Sequence, residues 1–189
     1  QYIIAKECKG ECFLVVYADD FIAGFQYPWE AERFYEQLRS RMVKFGLELE
    51  ENKSRIVESG RYLASLKAKR GESTRLGTFD FLGFTFYCGR TTKGNPWIMP
   101  KTSSKKFRQK VKEIKIWLYN NKEQKLGKLM YMLNVKLVGH YRYYGISFNS
   151  RMISNYKQQV RELLYKVLNR RSEKKSYTRE GFIEMMKYY

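Results

Sequence analysis

Residues 13–25 read FLVVYADDFIAGF, two apolar runs separated by Ala18, Asp19 and Asp20. Short β-prone runs on either side of turn-forming residues predict a β-hairpin with the two acids at its tip. A turn alone could explain the acids, because Asp favours turns. However, no Gly follows them directly, and adjacent carboxylates repel each other unless a cation or a Lys or Arg side chain lies between them. Grouped carboxylate oxygens suit Mg²⁺, so the pair is also a candidate for part of a two-metal site.

The segment that follows the hairpin predicts an α+β fold. Apolar residues recur at helical spacing from Pro28 to Phe45, and Gly46 predicts the end of that helix. Residues 47–49 and 55–58 are interpreted as two further strands.

The next segment is interpreted as a loop followed by β-structure. Residues 60–78 have little apolar pattern and predict a loop. Phe79–Tyr87 is aromatic and β-prone, and Gly83 interrupts it. Lys93–Pro96 predicts a turn before the short apolar run at 97–99. We place a domain boundary near Pro100, so residues 1–100 form a mixed domain.

Residues 101–189 have helical apolar periods and predict an all-α bundle. Ser103/Ser104, Asn149/Ser150 and Thr178 predict three helix N-termini. Each predicted helix has its own apolar stripe, and stripes of this kind are core positions first. The stripes consist of Phe107, Val111, Ile114 and Leu118; Leu126, Leu129, Met130, Leu133, Leu137 and Tyr141; Ile153, Tyr156, Val160, Leu163, Val167 and Leu168; and Phe182, Met185, Met186 and Tyr189.

The net charge of +18 is concentrated in the second half of the chain. Residues 101–189 contain 22 Lys or Arg against six Glu, a net +16, whereas residues 1–100 contain 15 Lys or Arg against 13 acids, a net +2. A basic surface that is merely solvated is the alternative interpretation. So many excess positive charges repel one another unless a counter-charge is bound. The asymmetry therefore favours a polyanion as the binding partner, and a nucleic acid more than a membrane.

The three cysteines, Cys8, Cys12 and Cys88, do not form a disulfide framework. Cys8 and Cys12 could form half of a zinc site, but no second Cys/His pair follows, so reduced intracellular thiols are the default interpretation. The chain has no apolar run of transmembrane length and no signal-peptide pattern. It opens on Gln1, and we therefore expect it to be part of a longer chain.

Tyr17-Ala18-Asp19-Asp20 between apolar strands resembles the Y-x-D-D box of reverse transcriptases. Three further regions occur in the order found in group II intron-encoded reverse transcriptase/maturases. The first is the predicted helix 29–45 followed by 45–49 and 52–56, which resembles the next palm segment. The others are 81–84, which resembles the primer-grip turn, and 139–145 with 168–171, which resemble domain X, the thumb. The resemblance covers nearly the whole chain and implies a partial polymerase palm, an antiparallel sheet with one packed helix, followed by a helical-bundle thumb.

The resemblance implies a role for each matching residue of the palm. Asp19 would bind both catalytic Mg²⁺ ions and Asp20 would support it. Lys53 would be the general acid for the leaving pyrophosphate, although an exposed strand-edge lysine is an equal alternative. Tyr17 and Ala18 would lie near the primer 3′ end. Leu82 and Gly83 would form the primer grip, where a simple glycine bend is the alternative.

In domain X the basic helical faces would bind the primer–template duplex and the intron RNA. Tyr141, Tyr143 and Tyr144 could stack on bases, with core packing the alternative for at least one of them. His140 could contact phosphate, but a structural histidine is the preferred interpretation. The basic candidates, with Tyr141, are Lys105, Lys106, Arg108, Lys110, Lys112, Arg142, Arg170, Arg171, Lys174 and Lys175.

The implied function is that of an RNA-directed DNA polymerase that also assists splicing of its intron, with dNTP as a further substrate. The family's upstream palm strand with its metal-binding Asp, and its fingers, have no counterpart in this sequence, so we expect residues 1–189 to bind nucleic acid without polymerising. The expected location is a cytoplasmic or organellar ribonucleoprotein, without a membrane. The alternative is a non-catalytic RNA-binding maturase module.

Overall fold

A computed structural model of the chain describes residues 7–50, 54–72, 76–171 and 176–189. It divides into two compact units, Gln1–Phe81 and Leu82–Tyr189. The described residues contain helices and small antiparallel sheets, so the predicted α+β class is confirmed. In the first unit the elements are β1 (Cys12–Tyr17), β2 (Asp20–Phe25), α1 (Pro28–Lys44), α2 (Arg61–Lys69) and β3 (Phe79–Phe81). In the second they are β4 (Phe84–Arg90), β5 (Pro96–Thr102), α3 (Ser104–Asn120), α4 (Leu126–Tyr144), α5 (Ser150–Leu168) and α6 (Arg179–Tyr188).

The predicted hairpin around the two aspartates is present. Strands β1 and β2 pair antiparallel from Cys12↔Phe25 to Tyr17↔Asp20, which leaves Ala18 and Asp19 as a two-residue turn. Helix α1 follows and packs on β2 through the rings of Phe25 and Phe34, whose centroids lie 5.2 Å apart.

Glu30 in the first turn of α1 is buried and fixes the segment before β1. Its Oε1 accepts hydrogen bonds from the backbone N–H groups of Lys9 at 2.6 Å and Gly10 at 3.2 Å. The first turn of α1 therefore fixes the backbone of Lys9 and Gly10, which lead into the hairpin.

Two predictions for the first unit are wrong. The described residues of 47–58 form no strand, because Leu47 and Ile56 are half exposed and no neighbouring strand pairs with them. The predicted loop at 60–78 contains helix α2 at its start, in which Ala64 is buried. The apolar period of α2 spans only about two turns, too short to be distinguished from a loop by pattern alone.

In the second unit, β4 and β5 pair antiparallel from Phe84↔Thr102 to Arg90↔Pro96. The turn between them has Gly94 at φ 80°, and Gly94 N donates to Thr91 O at 2.8 Å, as the predicted turn required. The four predicted helices of the bundle are present as α3–α6. Their apolar stripes meet in one core, which contains Ile114, Leu118, Leu129, Met130, Leu133, Tyr156, Val160, Leu164, Val167, Leu168 and Phe182.

The helix N-termini follow the predicted residues with one difference. Ser103 Oγ accepts from Lys106 N and Thr178 Oγ1 accepts from Gly181 N, as capping side chains do. Asn149 occupies the N-cap position of α5, but its side chain makes no capping bond and is instead fully buried against β5. The boundary between the compact units lies between Phe81 and Leu82. The functional boundary near Pro100 falls inside the second unit and stays a prediction.

Candidate catalytic hairpin and nucleic-acid interface

The turn that carries the aspartates has an unusual backbone. Ala18, its first residue, has φ 53°, in the left-handed region that favours glycine. An L-residue with a Cβ costs about 1 kcal/mol there. The strand register places Asp20 directly opposite Tyr17 at the end of the ladder, and Asp19 in the turn itself. The two carboxylates therefore leave the backbone at structurally different positions.

One face of the hairpin combines Asp20 with an exposed apolar surface. Side chains on one face alternate along a strand, so Phe13, Val15 and Tyr17 share the face of Asp20. All three are between 47% and 62% exposed. The ring of Phe13 covers Gly24 so closely that a Cβ on Gly24 would lie 2.2 Å from it.

Asp19 and Asp20 fit the requirements of a Mg²⁺ site only in part. Both side chains are exposed, and their oxygens are the hard ligands that Mg²⁺ prefers. In the described residues, no group of three or more His, Cys, Asp or Glu side chains is placed to hold a metal ion. The pair can thus supply two protein ligands of a larger set. Lys53, the predicted general acid, lies outside the described residues.

Leu82 and Gly83, the predicted primer grip, form a tight turn. Their φ angles, 49° and 79°, lie in the left-handed region. Tyr143 donates its hydroxyl to Leu82 O at 2.8 Å, and Ser103 N donates to Gly83 O at 2.9 Å. A Cβ on Gly83 would lie 3.0 Å from the Tyr144 hydroxyl and 3.6 Å from Lys106 Cγ. Within the second unit, this turn therefore lies close to Lys106, one of the predicted basic residues.

Helix α3 concentrates positive charge on its solvent side. Lys105, Arg108 and Lys112 are exposed and lie at i, i+3 and i+7, which places them on one stripe of the helix. Lys115 continues the stripe and is also exposed. Lys115 is not among the residues predicted from the sequence, although the same spacing identifies it. We call Lys105, Arg108, Lys112 and Lys115 the α3 stripe.

Two other predicted basic residues, Lys110 and Arg170, donate hydrogen bonds within the protein, and a third, Arg171, is partly buried. Lys110 Nζ donates to Glu113 Oε2 at 2.9 Å, and this hydrogen bond lowers the pKa of Glu113. Arg170 donates to the Tyr119 hydroxyl at 2.6 Å. Arg171 has two buried guanidinium nitrogens, Nε and Nη2, without a hydrogen-bond partner among the described residues. Lys174 and Lys175 lie outside the described residues. The nucleic-acid role of these residues stays a prediction.

The aromatic cluster at the end of α4 divides into buried and exposed members. Tyr144 is buried against Phe84 and His140, and Tyr141 packs against the helical core. Tyr143 stacks on Phe84 with 5.8 Å between centroids but remains half exposed. The prediction that at least one of these tyrosines packs in the core is therefore met by Tyr144.

His140 is buried and stacks on Tyr156 with 3.7 Å between ring centroids. Desolvation, with a smaller contribution from the nearby Lys110 charge, lowers the pKa of His140 to about 4. A neutral, stacked imidazole is poorly suited to bind phosphate. Arg142, two positions further along α4, is exposed to solvent.

No helix in the described part of the chain is both long and apolar enough to cross a membrane.

Comparison with known proteins gave one family match. Residues 104–187 match the family described as Group II intron, maturase-specific domain. No curated protein and no solved structure matches the chain significantly. The match spans α3 to α6 and includes the α3 stripe and the helical core. The resemblance of these helices to the maturase domain of group II intron proteins is therefore confirmed for residues 104–187.

Proposed function

We propose that helices α3–α6, which we call the helical unit, bind group II intron RNA and assist its splicing, and that the α3 stripe is a principal contact. The observation that carries the proposal is the position of this stripe on a maturase-specific domain. Helix α3 contains six Lys or Arg residues and one Glu, and its apolar side is anchored by Ile114 and Leu118 in the core. A rigid helix with one basic face suits the phosphate backbone of a folded RNA.

The contact is tested by neutralising the stripe in the 189-residue chain. We expect Lys105→Gln/Lys112→Gln/Lys115→Gln to weaken binding to intron RNA by about tenfold or more, since each lost phosphate contact removes a counterion-release contribution. Circular dichroism verifies that the variant folds.

The matched control removes the same number of charges from helices of the first unit, as Arg41→Gln/Lys44→Gln/Lys69→Gln. We expect this control to bind nearly as the unchanged chain does. Equal losses in the two triple variants would contradict a localised interface, because they would show that only total charge matters.

We further propose that the hairpin belongs to the catalytic centre of an RNA-directed DNA polymerase. The support is the Y-x-D-D order, the placement of Asp19 in a strained turn, and the presence of a maturase-specific domain in the same chain. Such domains are part of intron-encoded reverse transcriptases. The two catalytic Mg²⁺ ions would activate the primer 3′-OH and stabilise the leaving pyrophosphate.

Within this proposal the residues of the chain have separate tasks. Asp19 would be the principal metal ligand and Asp20 its support. Tyr17 and Ala18 would lie beside the primer end, and the Leu82–Gly83 turn would position the primer strand. The dNTP and the primer–template duplex are the substrates that these roles require.

Asp19→Ala, made in the full-length protein, tests this assignment. We expect it to abolish cDNA synthesis and to leave intron RNA binding unchanged, because Asp19 lies in the hairpin rather than on the α3 stripe. Loss of both properties would show that Asp19 has been misassigned. A protein that assists splicing equally well before and after the substitution, and synthesises no cDNA in either form, would be a non-catalytic maturase module.

A further inference from the structure

The outer side of α4 presents a continuous apolar stripe to solvent. Tyr131, Val135 and Val138 lie at i, i+4 and i+7 and are 72%, 57% and 46% exposed. Residues at this spacing lie on one face of a helix. Contiguous exposed apolar residues on a folded unit indicate an interaction surface more often than isolated ones do.

Positive charge borders this stripe at both ends. Lys128 lies one turn before Tyr131 and Arg142 one turn after Val138, and both are exposed on the same face. The fourteen-residue separation corresponds to about 21 Å along the helix, enough for a few nucleotides. Helix α4 contains three Lys or Arg residues and no Asp or Glu. We call Lys128, Tyr131, Val135, Val138 and Arg142 the α4 face.

We propose that the α4 face binds an unpaired, single-stranded segment of RNA, with a base stacked on Tyr131 and phosphates on Lys128 and Arg142. The inference rests on the proposed RNA-binding function of this unit and assigns it a second, chemically different contact. A duplex hides its base faces, whereas unpaired bases can stack on exposed aromatic rings. Stacking of this kind tolerates different sequences because every base has a π-face.

The charge of the face disfavours a second copy of this chain as its occupant. Residues 101–189 carry a net charge of +16, from 22 Lys or Arg and six Glu. Two such surfaces would repel each other on approach, whereas a polyanion is attracted. Tyr131 also takes part in no ring pair or cation–π contact with the residues that the structure describes. Its ring is therefore free to receive a base.

The test uses the 189-residue chain and a labelled oligoadenylate of about ten nucleotides. The comparison ligand is an abasic oligonucleotide with the same number of phosphates. We expect Tyr131→Ala to weaken oligoadenylate binding by about tenfold and to leave abasic binding nearly unchanged. Tyr131→Phe, which keeps the ring, should bind nearly as the unchanged chain does.

Tyr188 provides a matched control, because it is an exposed tyrosine on helix α6, whose two basic and two acidic residues cancel. Tyr188→Ala should change binding by less than about twofold. Equal losses in the Tyr131→Ala and Tyr188→Ala variants, or equal losses on the two oligonucleotides, would overturn the proposal.

A pair of substitutions at Val135 separates RNA from other occupants. Val135→Lys should maintain or strengthen oligoadenylate binding, and Val135→Glu should weaken it, because RNA responds to the sign of the charge. If both substitutions instead abolish a concentration-dependent self-association, the face is a protein interface and the proposal fails. The proposal would also be overturned if Tyr131→Ala weakened binding to phosphatidylserine vesicles but left oligoadenylate binding unchanged.

The outcomes distinguish this inference from the proposed function beneath it. If the unchanged chain binds intron RNA and the Tyr131→Ala variant binds oligoadenylate equally well, only the α4 face has been misassigned. If the unchanged chain binds no RNA at low salt, the proposed function itself fails.

Discussion

The side chain of Asn149 is joined to Thr102 by two hydrogen bonds across 47 positions of the sequence. Asn149 Oδ1 accepts from Thr102 N at 2.8 Å, and Asn149 Nδ2 donates to Thr102 Oγ1 at 2.8 Å. Nδ2 also donates to Tyr144 O at 2.7 Å. All these groups are buried, so the link fixes the end of β5 to the connection between α4 and α5 without access to water.

We expect Asn149→Ala to be among the most destabilising polar substitutions in the helical unit. It would leave Thr102 N buried without its partner and would remove one of the two hydrogen bonds that Tyr144 O accepts, the other coming from Ile146 N. The expected cost is about 2–4 kcal/mol in the free energy of unfolding. Urea unfolding of the 189-residue chain measures this. Asn155→Ala, on the exposed side of α5, is the matched control and should cost less than about 0.5 kcal/mol. Similar values for the two variants would contradict the role of the link.

Gly83 and Gly94 allow backbone strain to be separated from side-chain crowding. Both have φ near 80°, but a Cβ on Gly83 meets the Tyr144 hydroxyl at 3.0 Å, whereas a Cβ on Gly94 has open space. We expect Gly94→Ala to cost about 1 kcal/mol from strain alone. Gly83→Ala should cost more, by about a further 1 kcal/mol, because Tyr144 is buried and cannot move freely. Thermal or urea unfolding measures both, and equal costs would show that the contact at Gly83 relaxes.

Stability should depend on pH through His140, the only histidine of the chain. Its pKa is lowered from 6.5 to about 4 in the folded protein. Between these values the unfolded chain binds a proton that the folded chain does not, so the free energy of unfolding falls as the pH decreases from 6.5 towards 4. The full loss is about 3 kcal/mol.

The control for this pH dependence is His140→Phe, which keeps an aromatic ring against Tyr156 and removes the titrating group. Its free energy of unfolding should change much less between pH 6.5 and 5 than that of the unchanged chain. An unchanged slope in the variant would show that other groups produce the effect.

Glu113 is expected to weaken RNA binding by neutralising Lys110. Glu113→Gln removes the 2.9 Å ion pair and adds one net positive charge to α3. We therefore expect RNA affinity to rise about twofold to threefold at low salt, with little change in stability. Glu184→Gln breaks the equivalent i, i+3 pair with Lys187 on α6, away from the basic stripe, and is the control. Equal gains would indicate a general effect of net charge.

Strong periodic patterns made most of the fold predictable from the sequence. The four helices of the second unit each had an apolar stripe, and Ser103 and Thr178 marked two of their N-termini. The hairpin at 12–25 was predictable because two apolar runs surround a turn-forming pair. Helix α2 was not, because nine residues contain too few turns to show a period.

The candidate site was predictable as a set of residue types but not as a geometry. The sequence identifies basic residues on α3, but it does not show that Lys110 is paired with Glu113. Nor does it show that Lys105 and Lys112, on the exposed stripe, make no ion pair with the residues that the structure describes. Nor does it show that Asn149, an ordinary cap in sequence terms, links two elements from a fully buried position. Such contacts depend on tertiary neighbours, which local patterns do not contain.

The salt dependence of intron RNA binding tests the central claim most directly. The affinity of the 189-residue chain should fall steeply with salt, and the slope of log K against log[salt] should decrease by about two to three in Lys105→Gln/Lys112→Gln/Lys115→Gln, one unit for each phosphate contact removed. The Arg41→Gln/Lys44→Gln/Lys69→Gln control should keep the full slope. If the first variant keeps the full slope and the control loses it, the RNA is bound elsewhere and the account is contradicted.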